Sequence, residues 1–194
     1  MWYNIIIEKE QVKKVIKDYL KIFPNEIDRL KPLIEYVKNT NDNLMCDWNN
    51  INGHFTAGAF IYSKQTRRFL VLWHKDLKMF LYAGGHCEQN HRSTLETAKL
   101  EVIEETGIID FSIKSITENE DVPIDIDIHS IPYNSRVNMP EHYHFDFRYI
   151  FFVHDESDVR IDENEISNYK WIDEKELKED KNYGLILKKL KNFI

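Results

Sequence analysis

The hydrophobic period of the chain changes along its length. Between residues 12 and 37 the apolar positions recur at helical spacing, first Val12, Val15, Ile16, Tyr19 and Leu20, then Leu30, Leu33, Ile34 and Val37. That spacing predicts two amphipathic helices, divided at Pro24 and Asn25, each with one face to bury. After the polar stretch 39–43 the apolar runs shorten. FTAGAFIY at 55–62, RFLVLWH at 68–74 and MFLYAGG at 79–85 read as strands separated by polar turns.

A further helix has a clear start and stop. Ser93 and Glu96 have the spacing of a capping box, Leu95, Ala98 and Val102 form an apolar stripe, and Gly107 suits a left-handed residue just past the end. Two later segments alternate strictly. Ile124, Ile126 and Ile128 oppose Asp125, Asp127 and His129, and Tyr143, Phe145, Phe147 and Tyr149 oppose His142, His144, Asp146 and Arg148. A last strand is expected at 165–173, then a helix packing through Leu185, Leu187, Leu190 and Phe193. Helices and strands interleave without an internal repeat or a Gly/Ser linker, which predicts an α/β fold with the N-terminal helices docked on it rather than tethered. Trp48, Trp73 and Trp171 are expected to pack in the core or on the sheet.

Composition narrows the function classes. A chain of 194 residues, 42% of them hydrophobic, can bury one substantial core. The net charge of -7 and the lack of a dense basic stripe argue against a duplex nucleic acid partner. Cys46 and Cys87 stand far apart without a CxxC, so a disulfide framework is not expected and a reducing, cytoplasmic setting is. No apolar run is long enough to span a membrane, and the N-terminus lacks the pattern of a signal peptide.

The chemistry is concentrated in GGHCEQNHRSTLETAKLEVIEETGI, residues 84–108. Glu101, Glu104 and Glu105 fall on one helical face, where neighbouring side chains lie about 5–6 Å apart and each like-charged pair costs roughly 0.2–0.5 kcal/mol without a counter-ion. Crowded hard oxygen ligands of this kind suit Mg²⁺ or Mn²⁺. The preceding Gly84 and Gly85 let the backbone approach a bound group closely, which makes the Gly85 carbonyl a further candidate ligand. The carboxylate face lies about a quarter turn from the apolar stripe, so the helix can pack on a sheet while its acids line a cleft. His86 beside Cys87, together with His142 and His144, has the residue types of a zinc site, but no second close ligand pair fixes a geometry.

This segment resembles the Nudix signature, and the resemblance extends over roughly residues 54–180 through HFTAGAFIY, PIDIDIHSIP, HYHFDFRY and YKWID. Two positions depart from the pattern, with Leu100 in place of an arginine and Arg92 in place of a glutamate, and the turn HCEQNH is one residue longer. The resemblance implies a Nudix-type α/β/α sandwich around a mixed β-sheet, with residues 1–50 as a helical extension on a domain of residues 51–194. It also implies hydrolysis of a diphosphate linkage in a nucleoside diphosphate derivative or related phosphorylated small molecule. Glu101, Glu104, Glu105 and Gly85 would hold Mg²⁺ or Mn²⁺, and Glu104, Glu105 and Glu165 are the candidate catalytic residues, with Asp146 as an alternative base. His86, His142, His144, Asp146 and Arg148 would form a substrate wall. A homodimer through the N-terminal helices is a further expectation. Leu100 and Arg92 keep a second reading open, a nucleotide-binding or regulatory module with weak catalysis.

Overall fold

A computed structural model describes residues 6–113, 116–135, 138–156 and 159–191. Helices α1 (Lys9–Ile22) and α2 (Ile27–Asn39) are joined by a 3-10 turn at Pro24–Glu26, as the Pro24–Asn25 break predicts. A single turn, α3 (Asp42–Met45), leads into β1 (His54–Ser63), β2 (Arg68–His74), β3 (Met79–Leu81) and β4 (Ala83–His86). Helix α4 (Thr94–Thr106) follows, then β5 (Ser112–Ile113), β6 (Asp125–Ile131), β7 (His142–Val153), β8 (Ile166–Asp173) and α5 (Lys181–Leu190). Phe193, expected in the last helix, lies outside the described residues.

Among the described residues all eight strands join one mixed sheet centred on β1 and β7, which run parallel over their shared length, from His54 opposite His144 to Ser63 opposite Val153. The other pairings are antiparallel. On its far side β1 meets β4 along its first half and β2 along its second, while β7 meets β6 and then β5. Strand β8 closes the opposite edge against β2.

The pleat sends alternate residues to two cores. Ala57, Ala59, Phe145 and Phe147 pack with Leu95, Ala98 and Val102 of α4 and with the apolar stripes of α1 and α2. Tyr36 of α2 stacks on Phe145 at 4.4 Å between ring centroids, so the helical pair commits its apolar stripe to its own chain. Phe60, Tyr62, Ile150 and Phe152 face the other way, onto Tyr183, Ile186 and Leu187 of α5. The sheet is therefore covered by α4 and the N-terminal helices on one face and by α5 on the other.

Three details differ from the periodicity. Ile124 precedes β6 and packs in the core under α5, whereas Ile126 lies on the opposite face. Trp48 is 49% exposed, because it sits in the turn between α3 and β1 rather than in an element with a buried face. Helix α5 begins at Lys181, where the Asp180 carboxylate accepts hydrogen bonds from the amides of Asn182 and Tyr183, and it buries Tyr183 and Ile186 beside Leu187 and Leu190.

Candidate functional site

Helix α4 is set rigidly at both ends. Ser93 Oγ accepts from the Glu96 amide at 3.0 Å, and the Glu96 carboxylate reaches back to the amide of Arg92, one residue earlier than a standard capping box requires. Gly107 closes the helix at φ 66, a left-handed conformation that glycine adopts without a Cβ penalty. The backbone of Arg160 and Asp162 then donates to the Thr106 and Glu105 carbonyls, bringing the segment before β8 against the helix end.

The acidic face leans on the glycine turn. The Gly84 amide donates to the Glu105 carboxylate at 3.0 Å, and a Cβ added to Gly85 would lie 2.4 Å from Glu101 Oε1, so any larger residue there must displace that carboxylate. Burial, followed by repulsion from Glu104, Glu165 and Glu88, pushes the Glu101 carboxyl up to about 7. Burial, then Glu101, pushes Glu105 up to about 8, with the Gly84 hydrogen bond opposing and Glu165 and Asp162 adding to the rise. Glu104 is exposed on the same helix, and Glu165 is exposed just before β8. An all-oxygen donor set gathered on one helical face and partly buried against a glycine turn fits a hard divalent cation.

The departures in this segment have a visible local structure. His91 is buried in the lengthened turn, where its Nδ1 accepts from the Glu88 amide at 3.1 Å and meets Thr97 Oγ1 at 2.8 Å. Arg92 points outward with its side chain 71% exposed, 3.9 Å from Glu96. Leu100 is half-buried and carries no polar group with which to orient a carboxylate. The Gly84 amide is what holds Glu105.

The remaining candidates lie across the sheet. His86 opposes Thr56, and Asp146 and His144 align with Thr56 and His54, so these side chains share the face opposite α4. His54, His86, His142 and His144 form one group, with His54 centroids 4.7–4.9 Å from the other three rings. Burial, then His86 and His142, lowers His54 to about 4, and burial, then His54 and His86, lowers His144 further, so both are neutral near pH 7. His54 carried no sequence signal, because its neighbours come from a parallel strand some ninety residues later.

Asp146 is buried, accepting from Thr56 Oγ1 at 3.0 Å and from the Tyr82 hydroxyl. Burial raises its carboxyl, with Arg148, Tyr82 and Thr56 opposing. Arg148 is 2% exposed and pairs through Nε with Asp125 at 2.9 Å, while Asn182 Oδ1 accepts from it at 3.0 Å. Its guanidinium thus belongs to an internal ion network.

Two clefts of about 420 Å³ open on the surface. One adjoins the glycine turn and is lined by Trp48, Asn49, His86, Glu88 and Gln89. The other lies beside Arg92 and Lys99 at the start of α4 and contains none of Glu101, Glu104 and Glu105. No helix among the described residues is long and apolar enough to cross a membrane.

Residues 53–190 match the NUDIX domain family model. Among solved structures, an Ap4A hydrolase from C. elegans, crystallised as a binary complex, is 19% identical, covering 72% of this chain and 96% of its own with a TM-score of 0.53. A NUDIX family hydrolase from Clostridium perfringens is 22% identical over 71% of this chain and 94% of its own, at a TM-score of 0.52. The E. coli dihydroneopterin triphosphate pyrophosphohydrolase is 18% identical over 71% and 95%, at 0.53. No curated protein sequence matches the chain.

Proposed function

Because the chain belongs to the Nudix domain family, we propose that it hydrolyses the diphosphate linkage of a phosphorylated small molecule, with Glu101, Glu104 and Glu105 as ligands of a divalent cation. The observation that carries this reading is the geometry of the acidic face, where the Gly84 amide holds the Glu105 carboxylate and the Glu101 carboxylate presses on Gly85. Mg²⁺ or Mn²⁺ held there would neutralise phosphate oxygens and acidify a water molecule. The Gly85 carbonyl extends the oxygen set, and the Gly84 amide keeps Glu105 oriented.

Glu165 is the base we assign to the attacking water. Its charge acts on both Glu101 and Glu105, whereas Asp146 is enclosed on the other face by Thr56 and Tyr82. The organic end of the substrate takes the cleft beside the turn, where the exposed Trp48 offers an aromatic face and His86 and Gln89 offer polar contacts. Nucleotides joined to a second group fit this division between a phosphate end and a stacking end.

The test is turnover of nucleotide sugars, dinucleoside polyphosphates, a pterin triphosphate, ADP-ribose and nucleoside triphosphates with Mg²⁺ or Mn²⁺. Glu104→Gln and Glu165→Gln should each lower kcat by about 100-fold or more, the range of a lost acid–base or ligand group. Leu100 and the outward Arg92 favour a second reading, binding with little catalysis. Saturable binding without turnover of any of these compounds would establish that one instead.

A further inference from the structure

Three imidazoles meet at the start of the central parallel strand pair. His54 opens β1, His142 and His144 open β7, and the β1–β7 register sets His54 directly beside His144. The Nε2 atoms of His54 and His144 are 3.1 Å apart, those of His142 and His144 are 3.3 Å apart, and one nitrogen from each ring falls within 4.8 Å of the other two. His54 and His142 are buried and His144 is half-buried.

Hydrogen bonding alone leaves this group poorly satisfied. His142 Nδ1 lies 2.7 Å from the Pro140 carbonyl, which can only accept, so the proton of the neutral ring is on Nδ1 and its Nε2 presents a lone pair. His144 Nε2 faces that lone pair and His54 Nε2 at once, and one proton on it is all that two acceptors can share. If the proton is instead on His54 Nε2, two lone pairs oppose each other at 3.3 Å. His54 Nδ1 is buried and makes no close hydrogen bond, although the Asn50 backbone acts on the ring.

A cation at the centre resolves the conflict. Two imidazole nitrogens at roughly 2.0–2.1 Å from a tetrahedral Zn²⁺ stand about 3.3 Å apart, close to the 3.1 and 3.3 Å of the two pairs that include His144. The Pro140 carbonyl already plays the part of an outer acceptor that fixes the tautomer of a metal-binding histidine. We propose that His54, His142 and His144 form a nitrogen-ligand site for Zn²⁺ or a similar borderline-soft divalent ion, with the fourth position open.

This site is chemically and spatially distinct from the glutamates of α4. Its donors are imidazoles rather than carboxylates, and it lies on the other face of the sheet, since His86 and Gly85 project to opposite sides of β4. His86 and His129 stand at the rim, with centroids 5.1 and 5.5 Å from His144. On that side the Asp127 carboxylate lies 3.0 Å from His129 Nδ1, and Asp146 shares the face. The proposal does not rest on the hydrolase reading.

The experiment is a Zn²⁺ titration of the untagged, metal-stripped full chain against a chromophoric chelator, with far-UV circular dichroism as a folding check. One equivalent should bind. His144→Ala and His54→Ala should each weaken that site by more than the roughly 10–100-fold that losing an outer partner costs. A Glu101→Gln/Glu104→Gln/Glu105→Gln variant should keep it, and excess Mg²⁺ should not displace it. If either histidine variant fails to fold, long-range ¹H–¹⁵N spectra of the wild-type side chains decide, because Zn²⁺ should move the Nε2 resonances of these three histidines. Absence of binding, an unchanged affinity in folded His144→Ala, loss of the site in the glutamate variant, or unmoved imidazole resonances would each overturn the proposal.

Discussion

At the scale of single residues, the glutamates and the histidines differ in how they are brought together. Glu101, Glu104 and Glu105 share one helix, so helical spacing alone announces their face, and the structure adds what spacing cannot, the glycine turn pressed against them. Trp48 gives a residue-level test of where the organic end binds. Trp48→Ala should raise KM about tenfold while leaving kcat nearly unchanged, the signature of a contact made equally in ground and transition states, and steady-state kinetics on the best substrate would check it. Its exposure was not legible in the sequence, because an aromatic in a short turn has no periodicity to set its direction. The pairing of Arg148 was hidden for a related reason. Strand alternation gives the face on which a side chain lies, but not whether Asp125 on the neighbouring strand has already claimed it.

Among the elements, α4 and β4 act as a matched pair. The start, stop and apolar stripe of α4 were legible because capping and helix-ending residues act locally, within a few positions of one another. Ser93→Ala removes the cap and should cost about 1 kcal/mol, which chemical denaturation can measure, with little change in the arrangement of the glutamates. Gly85→Ala should behave oppositely. A methyl group 2.4 Å from Glu101 Oε1 must displace that carboxylate, so Mg²⁺ or Mn²⁺ affinity should fall at least tenfold while global stability changes less. The split between β3 and β4, the short strand β5 and the helical turn α3 were not foreseen, since segments of two to four residues are too brief to show a period.

Across the whole molecule, a buried ion network ties the N-terminal helices to the sheet and to α5. Asp125 of β6 accepts from Arg148 of β7, from Lys189 of α5 at 2.5 Å, and from Arg29 of α2 at 3.3 Å, while Lys189 also donates to Tyr19 of α1 at 2.6 Å. Arg29 donates in addition to the Ile126 carbonyl of β6, a strand whose only strand neighbour among the described residues is β7. Asp125→Ala takes the close carboxylate partner from buried Arg148, while Lys189 and Arg29 keep Glu26, and should destabilise the protein by about 3 kcal/mol. Burial raises the Asp125 carboxyl, but Arg148, Lys189 and Arg29 outweigh it and the net shift is downward. A carboxyl with a depressed folded pKa stabilises fully above its unfolded value, near 3.9, and that contribution is lost as pH falls through the folded value. Acid titration followed by circular dichroism should therefore show a loss of stability below about pH 4 that is smaller in Asp125→Asn. The helices and strands of this network were legible one by one, but their ionic joints were not, because each joint links residues 23 to 170 positions apart.

The parallel pairing of β1 with β7 also orders events in time. His54 lies 90 positions before His144 in the chain, and the first half of the central pair cannot be joined until the second has been made. A nascent chain that has emerged only as far as β5 already carries the complete glutamate helix, yet it lacks the strand against which β1 must register. Contacts of such separation are slow to form, because loop closure comes before their reward. During synthesis β1 therefore pairs with β2 first, and its other edge waits for β7 until that strand emerges.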